Sequence, residues 1–489
     1  MALLSFLDRE RSIASAGYSR WLVPPAALAI HLAIGQVYAF SVFKIPLSKM
    51  LGVVGSQATN INDLKNVLPN SGDWSESSLQ WIFSLAIVSL GLSAALWGTW
   101  LERVGPRRAM FTSACCFASG FLVSALGIHL HQLWMIYLGY GVLGGIGLGI
   151  GYISPVSTLI KWFPDRPGMA TGMAIMGFGG GAMIGGPLAN ALMNHFFRSA
   201  PNGISPTFVT MGIAYFIFMM FGTFLVRLPA SNWKPVGFTP STVPQKLVTQ
   251  SNVLARDAIL TRQFYLLWII LFLNVTAGIG ILEQASPMIQ QMFPGKVTAA
   301  AAGGFVGLLS IFNMVGRFGW SSLSDYLGRK ATYLIFFSLG ALLFALIPAS
   351  QRLGHVGLFV AVTVVIISMY GGGFATIPAY LRDLFGVAEV GAIHGRLLTA
   401  WSAAGIAGPV LVNYIRGSMR SHGVANEHSY DFTMYLMAGL LVAGFMADLL
   451  VTAVDARHQI DSSDLTRARS KPSVPGEVKP MLHPTRPAH

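Results

Sequence analysis

The chain has 489 residues, 53% of them hydrophobic and only 10% charged, with a mean hydropathy of +0.60 and a formal net charge of +13. A soluble domain carries about 25% charged residues, so a soluble protein is excluded. Apolar runs of about 20 residues without alternation point to membrane helices and exclude a barrel. The Lys and Arg residues punctuate the apolar runs and form no patch, which argues against a nucleic-acid partner.

Twelve spans are predicted, at roughly 21–43, 79–100, 109–129, 132–157, 169–194, 206–227, 263–290, 298–322, 331–350, 354–380, 391–415 and 431–453. Residues 1–20 form a short, charged N-terminus with no evident cleavable signal peptide. His31, in the middle of the first span, is a candidate for binding or titration; its commoner role is a hydrogen bond to a neighbouring helix. The polar loop 44–78 suits a cover over a cavity mouth. Cys115 and Cys116 are adjacent in one span, which suits neither a long-range disulfide nor a metal site. The glycine runs Gly179–Gly181 and Gly371–Gly373 lack a following Lys-Ser/Thr, so they read as close helix packing and not as phosphate loops.

The linker 229–262 is rich in Pro, Ser and Thr, then reads as a short amphipathic helix over Lys246–Leu260. It separates a bundle at 21–228 from one at 263–454. Glu283 in the seventh span is a candidate proton carrier, since desolvation favours a neutral carboxyl. The polar, Pro-rich tail 455–489 reads as disordered. An even span count puts both termini on one side. That side holds 23 Lys and Arg against 8 opposite, leaving out Arg317. Both termini are therefore expected in the cytoplasm, with the chain in an inner or plasma membrane.

Arg317 is the pivotal residue. The stretch Thr298–Gly316 before it is uncharged, and the span ends near Leu323–Asp325. At 1.5 Å per residue Arg317 sits about 12 Å inside, where an arginine costs roughly 2.5–3.5 kcal/mol. It keeps its charge. Either it faces a wet cavity and binds an anion, or it snorkels to the headgroups. An internal repeat favours the first. Glu102, Gly105, Pro155, Gly168 and Gly172 recur as Asp325, Gly328, Pro378, Gly391 and Gly395, all at an offset of 223. Arg317 maps onto Ala94, so the shared scaffold does not require it. Two parallel six-helix repeats around a central site form a transporter architecture.

The loop Gly98–Arg108 and its second copy, Ser321–Lys330, resemble the signature loop of the major facilitator superfamily. The expected fold is an all-α membrane protein with twelve transmembrane helices in two six-helix pseudo-repeats. In that loop Glu102, Arg103, Arg107, Asp325 and Arg329 would form a conformational latch. Glutamate replaces the usual aspartate in the first copy, and serine replaces the leading glycine in the second. More narrowly, Gly145–Leu188, the Asn313/Arg317 element and Ala375–Gly386 are similar to the oxalate/formate exchangers, which are related to the monocarboxylate transporters.

That resemblance implies carboxylate transport by alternating access. Arg317 would hold the substrate carboxylate, helped by Asn313, and Tyr38, Tyr152, Tyr370, Phe374 and Trp401 would shape the pocket. In monocarboxylate transporters an aspartate precedes the arginine by one turn; here Asn313 is neutral. The oxalate exchangers carry a lysine in helix eleven where this chain aligns Trp401, while His394 and Arg396 fall near the cytoplasmic mouth. One deep cation would leave a dianion poorly paired, so formate, lactate or a similar monocarboxylate is favoured over oxalate. Coupling is anion exchange or proton symport. No cofactor, metal site or enzyme activity is expected; the partners are a small carboxylate, the lipid bilayer and protons, and the carrier is expected to be a monomer. The rival readings are an exporter of a neutral or cationic solute and a membrane sensor without transport.

Overall fold

A computed structural model describes residues 2–199, 201–231, 233–238 and 247–460. Among the described residues, twelve helices are long and apolar enough to cross a membrane. In the first half they are α1 (Arg20–Leu47), α2 (Glu76–Val104), α3 (Pro106–His129), α4 (Leu133–Trp162), α5 (Pro167–His195) and α6 (Ile204–Leu225). In the second half they are α7 (Arg262–Met292), α8 (Ala299–Leu327), α9 (Arg329–Arg352), α10 (Val356–Phe385), α11 (Val390–Ser421) and α12 (Asp431–Leu449).

Local chemistry sets several helix starts. Ser75, Thr261 and Thr298 each accept a backbone N–H of the first turn of α2, α7 and α8. Pro106 and Pro167 open α3 and α5. The two signature loops are turned by Gly105 and Gly328, at φ +85° and +84°, a region that glycine alone visits without strain. Among the described residues three helices are irregular, α11 being interrupted by a turn at Leu398. In α1 the stretch Gly35–Phe43 winds as a 3-10 helix, and α4 widens to a π-helix over Tyr137–Gly144.

The halves meet chiefly where α5 packs on α8 and α2 on α11. Both seams are built on the glycine positions of the repeat. A Cβ on Gly172 would lie 2.1 Å from Ser321 Oγ, and one on Gly395 would lie 2.1 Å from the Ala94 carbonyl.

Three expectations need correction. The loop 44–78 folds onto its own half: Ile61 N–H donates to Asn194, Tyr137 to the Ser78 carbonyl, and His131 stacks on Trp74. Among the described linker residues before α7, helix is confined to Ala255–Ala258. There Asn252 and Val253 pair with Ile460 and the Phe385 carbonyl, and these tertiary bonds replace the local ones that a helix would use. The same pairing orders the start of the tail, through Ile460. Lys246 and residues 461–489, on which the rest of those two expectations fall, lie outside the described residues.

Candidate functional site: a buried arginine in an aromatic cage

Arg317 lies on α8, with none of its surface exposed. Its Nε donates to Asn313 Oδ1 at 3.0 Å, one turn back. The guanidinium lies 5.7 Å from the ring of Phe178 on α5 and 5.2 Å from that of Phe374 on α10, so it stands between the two halves and not at a headgroup. Backbone must come close for this. A Cβ on Gly371 would lie 2.3 Å from the Asn313 carbonyl, and one on Gly179 would lie 3.2 Å from Arg317 Nε. Glycine in α10 and α5 lets both helices close on the arginine.

Aromatic rings enclose the rest. Trp401 on α11 packs on Phe374 at 4.6 Å and on Tyr152 and Phe178 at 5.4 Å. Tyr38 on α1 sits 5.1 Å from Phe178 and 6.3 Å from Trp401. Its hydroxyl reaches that of Tyr370 on α10 at 3.4 Å, and Tyr370 packs on Phe374 at 5.3 Å. His31 meets the Tyr152 ring at 5.3 Å from one side, and His394 of α11 meets it at 5.8 Å. All are fully buried except Tyr38, which is half-buried. The wet cavity expected around Arg317 is therefore absent from this conformation among the described residues. The rings close around the guanidinium.

The cage is poor in internal partners. Both terminal nitrogens of Arg317, Tyr152 Oη, Trp401 Nε1, His31 Nε2 and both ring nitrogens of His394 are buried without a hydrogen bond. Native proteins pair the great majority of buried polar groups; here the nearest partners are other cage members, the Tyr38 and Tyr152 hydroxyls beside the guanidinium. Among the described residues no carboxylate forms an ion pair with Arg317; the acids that pair sit elsewhere. The cage offers N–H and O–H donors around one permanent cation, and it is shaped to take acceptors.

The structure thus brings together Arg317, Asn313, Tyr38, Tyr152, Tyr370, Phe374, Trp401 and His31. The side chain of Glu283 lies outside the described residues. Sequence reasoning missed Phe178 and moved His394 to the cytoplasmic mouth. In fact α11 is buried between the halves from its first turn, so a histidine five residues in already faces the cage. The adjacency of Phe178 to the run Gly179–Gly181 was a usable signal, because glycine lets a helix approach and the next side chain fill the gap.

On the side of the termini the halves are clamped. The Asp325 carboxylate accepts from Gly168 and Met169 N–H, both at 2.8 Å, at the start of α5. Glu102 accepts from Gly391 N–H at 3.2 Å, at the start of α11. Each acid sits on the positive end of a helix from the opposite half, and this explains why these positions share one repeat offset. Arg329 binds Asp325 at 2.6 Å and Asp383 at 3.1 Å, while Lys161 binds Glu102 at 2.6 Å. Two residues of the expected latch are elsewhere. Arg107 donates to the Phe6 and Arg11 carbonyls and ties down the N-terminus, and Arg103 is exposed. A step of one residue along α2, from Glu102 to Arg103, rotates the side chain by about 100° and turns it away from the seam, which residue type alone does not reveal.

Comparison with known proteins agrees with this architecture. The family model described as Major Facilitator Superfamily matches residues 12–409. The chain is 25% identical to the oxalate:formate antiporter of Oxalobacter formigenes, over 80% of this chain and 83% of that protein. It is 22% identical to the apicoplast pyruvate carrier 1 of Toxoplasma gondii, over 81% and 83%. The crystal structure of the human organic anion transporter MFSD10 superimposes with a TM-score of 0.59 at 15% identity, over 88% of this chain and all of that one. The chain belongs to the major facilitator superfamily, and it is a multi-pass membrane transporter.

Proposed function

We propose that the protein is a secondary carrier of small monocarboxylates such as formate or lactate, working by alternating access. The observation that carries this reading is the pair of terminal Arg317 nitrogens, buried with no well-formed hydrogen bond and only the Tyr38 and Tyr152 hydroxyls within reach. A carboxylate satisfies both at once in a bidentate pair. Trp401 Nε1 and Tyr152 Oη supply further donors, and the rings exclude water. Oxalate is disfavoured because Arg317 is the one permanent cation among the described cage residues, and a second carboxylate would stay unpaired in low dielectric. A cationic solute is disfavoured by the same charge. Relatives named for oxalate, formate and pyruvate carriage support the carboxylate class.

In this reading Glu102 and Asp325 act as latches that release when the halves rock. The Tyr38–Tyr370 hydroxyl pair is the gate on the far side. The charge bias supports cytoplasmic termini. Uptake of labelled formate, lactate and oxalate into proteoliposomes tests the proposal. Wild-type protein is expected to take up the monocarboxylates in preference to oxalate, and Arg317→Ala to lose them. Carboxylate uptake unchanged in Arg317→Ala would refute the site.

A further inference from the structure

At the far end of α11, about four turns beyond Trp401, two cations converge on one neutral atom. Gln291 Oε1, on α7, accepts from Arg416 Nη2 at 2.8 Å, from Arg420 Nη2 at 3.1 Å and from Tyr430 Oη at 3.0 Å. Arg416 Nη1 also donates to Gln284 Oε1 at 3.1 Å, and its guanidinium lies 5.0 Å from the Tyr430 ring. Arg416 Nε is buried with no hydrogen bond. An amide oxygen has two lone pairs, so three donors crowd it. Like charges one turn apart on a helix repel each other. Among the described residues neither arginine forms an ion pair. The acid next to Tyr430, Asp431, is taken by Arg352 and His428.

Arg420 follows Ser402 by about five helical turns, and Arg416 follows Gly405 by about three. Both therefore fall on the side of α11 that meets the first half, where Ser402 donates to the Ile87 carbonyl and Gly405 abuts Ile87. The exposed apolar side of the helix, with Ile406, Val410 and Tyr414, is a different one. The two arginines stand at the far mouth of the seam between the halves, on the route to Arg317.

We infer that Arg416 and Arg420 form a second anion site, which takes a small carboxylate at the far mouth before the Tyr38–Tyr370 pair yields. An anion with two oxygens bridges both guanidinium groups, relieves the crowded Gln291 oxygen and cancels the repulsion. Positive charge at a mouth also raises the local concentration of anions. The neutral partners are essential to this. A glutamate at position 284 or 291 would pair the arginines permanently, whereas glutamine holds them and leaves their charge uncancelled, as Asn313 does for Arg317. The choice of a carboxylate rests on the reading of Arg317 as the inner site. The phosphate of an anionic phospholipid has the same chemistry, and the test separates the two.

The test is equilibrium dialysis of labelled lactate against the full-length protein in nanodiscs of neutral phosphatidylcholine. Wild type is expected to bind two lactates per chain. Arg317→Ala should keep the far site alone, and the double variant Arg416→Gln/Arg420→Gln should keep the inner site alone. A single wild-type site that is lost in Arg317→Ala overturns the inference and leaves the Arg317 reading standing. A single site that survives Arg317→Ala and is lost in the double variant supports the far site and removes the Arg317 reading. Two sites that both survive in the double variant overturn the inference, and no binding at all removes both. If the double variant does not fold, Arg420→Gln alone, at an exposed position, should weaken the second site about tenfold, and an unchanged site overturns the inference. With phosphatidylglycerol in the nanodiscs the second lactate should still bind. Its loss there would show that a lipid phosphate occupies the site, and would overturn the carboxylate assignment.

Discussion

Arg317 brings a full charge into a place where little of the protein meets it. Burying an ion without a proper partner costs several kcal/mol. Asn313 and two aromatic faces return part of that, about 1.5–3 kcal/mol for a hydrogen bond to a charged group and about 0.5–2 kcal/mol for each ring. The two terminal nitrogens remain unmatched. A group kept for stability would be better replaced by an apolar chain of similar length. Arg317→Met is therefore expected to raise the thermal stability of the purified protein in detergent, by about 1–4 kcal/mol, while carboxylate binding is lost. Thermal melting with and without lactate reads both effects. A clear fall in melting temperature would mean that the arginine is structural. His31 and His394 share this character, being buried polar groups that the protein does not satisfy by itself.

At the level of elements, the acid that begins each latch works on a helix start and not only on a basic side chain. Asp325 takes two backbone N–H groups of α5 and the Arg329 guanidinium together. An Asp325→Asn variant keeps the size and loses the charge. The helix-terminus interaction is worth about 0.3–1 kcal/mol at exposed sites and up to ~2 kcal/mol when partly buried, and the seam should open more often by a corresponding factor. Cysteine-labelling rates at a partly buried position on that seam, such as Met169→Cys with and without Asp325→Asn, would measure it. Equal rates would show that the acid does not hold the seam. Much of this was legible in the residues, because Glu102 and Asp325 share an offset with Gly168 and Gly391, and the structure pairs each acid with the glycine of the other half. The roles of Lys161 and Asp383 were not legible. Their partners depend on which side of a helix faces the seam, and no spacing in the chain encodes that.

At the level of the whole molecule, the twelve spans and the two-half division follow from apolar runs, charge bias and a repeat. These signals are local or periodic, so the sequence carries them openly. The cage is different. Seven of its members come from α1, α4, α10 and α11, brought to Arg317 by tertiary packing within the second half and between the halves. Tyr38, Tyr152, Tyr370, Phe374 and Trp401 were expected there through a family resemblance, whereas Phe178 and His394 were missed. That the cage is closed belongs to one conformation of a moving carrier, and no sequence states which conformation is adopted. The clamp on the terminal side joins the halves, and in the proposed cycle the Tyr38–Tyr370 pair is the gate on the far side. On the proposed function, a substrate reaches Arg317 only when one of the two yields, which is the requirement for alternating access.

The most direct measurement of the central claim is equilibrium binding of labelled lactate to purified wild-type and Arg317→Lys protein. Lysine keeps the charge but gives up the planar two-point match to a carboxylate. The account predicts a loss of affinity of about tenfold to a hundredfold, equivalent to about 1.4–2.8 kcal/mol. Unchanged lactate affinity in Arg317→Lys would contradict it.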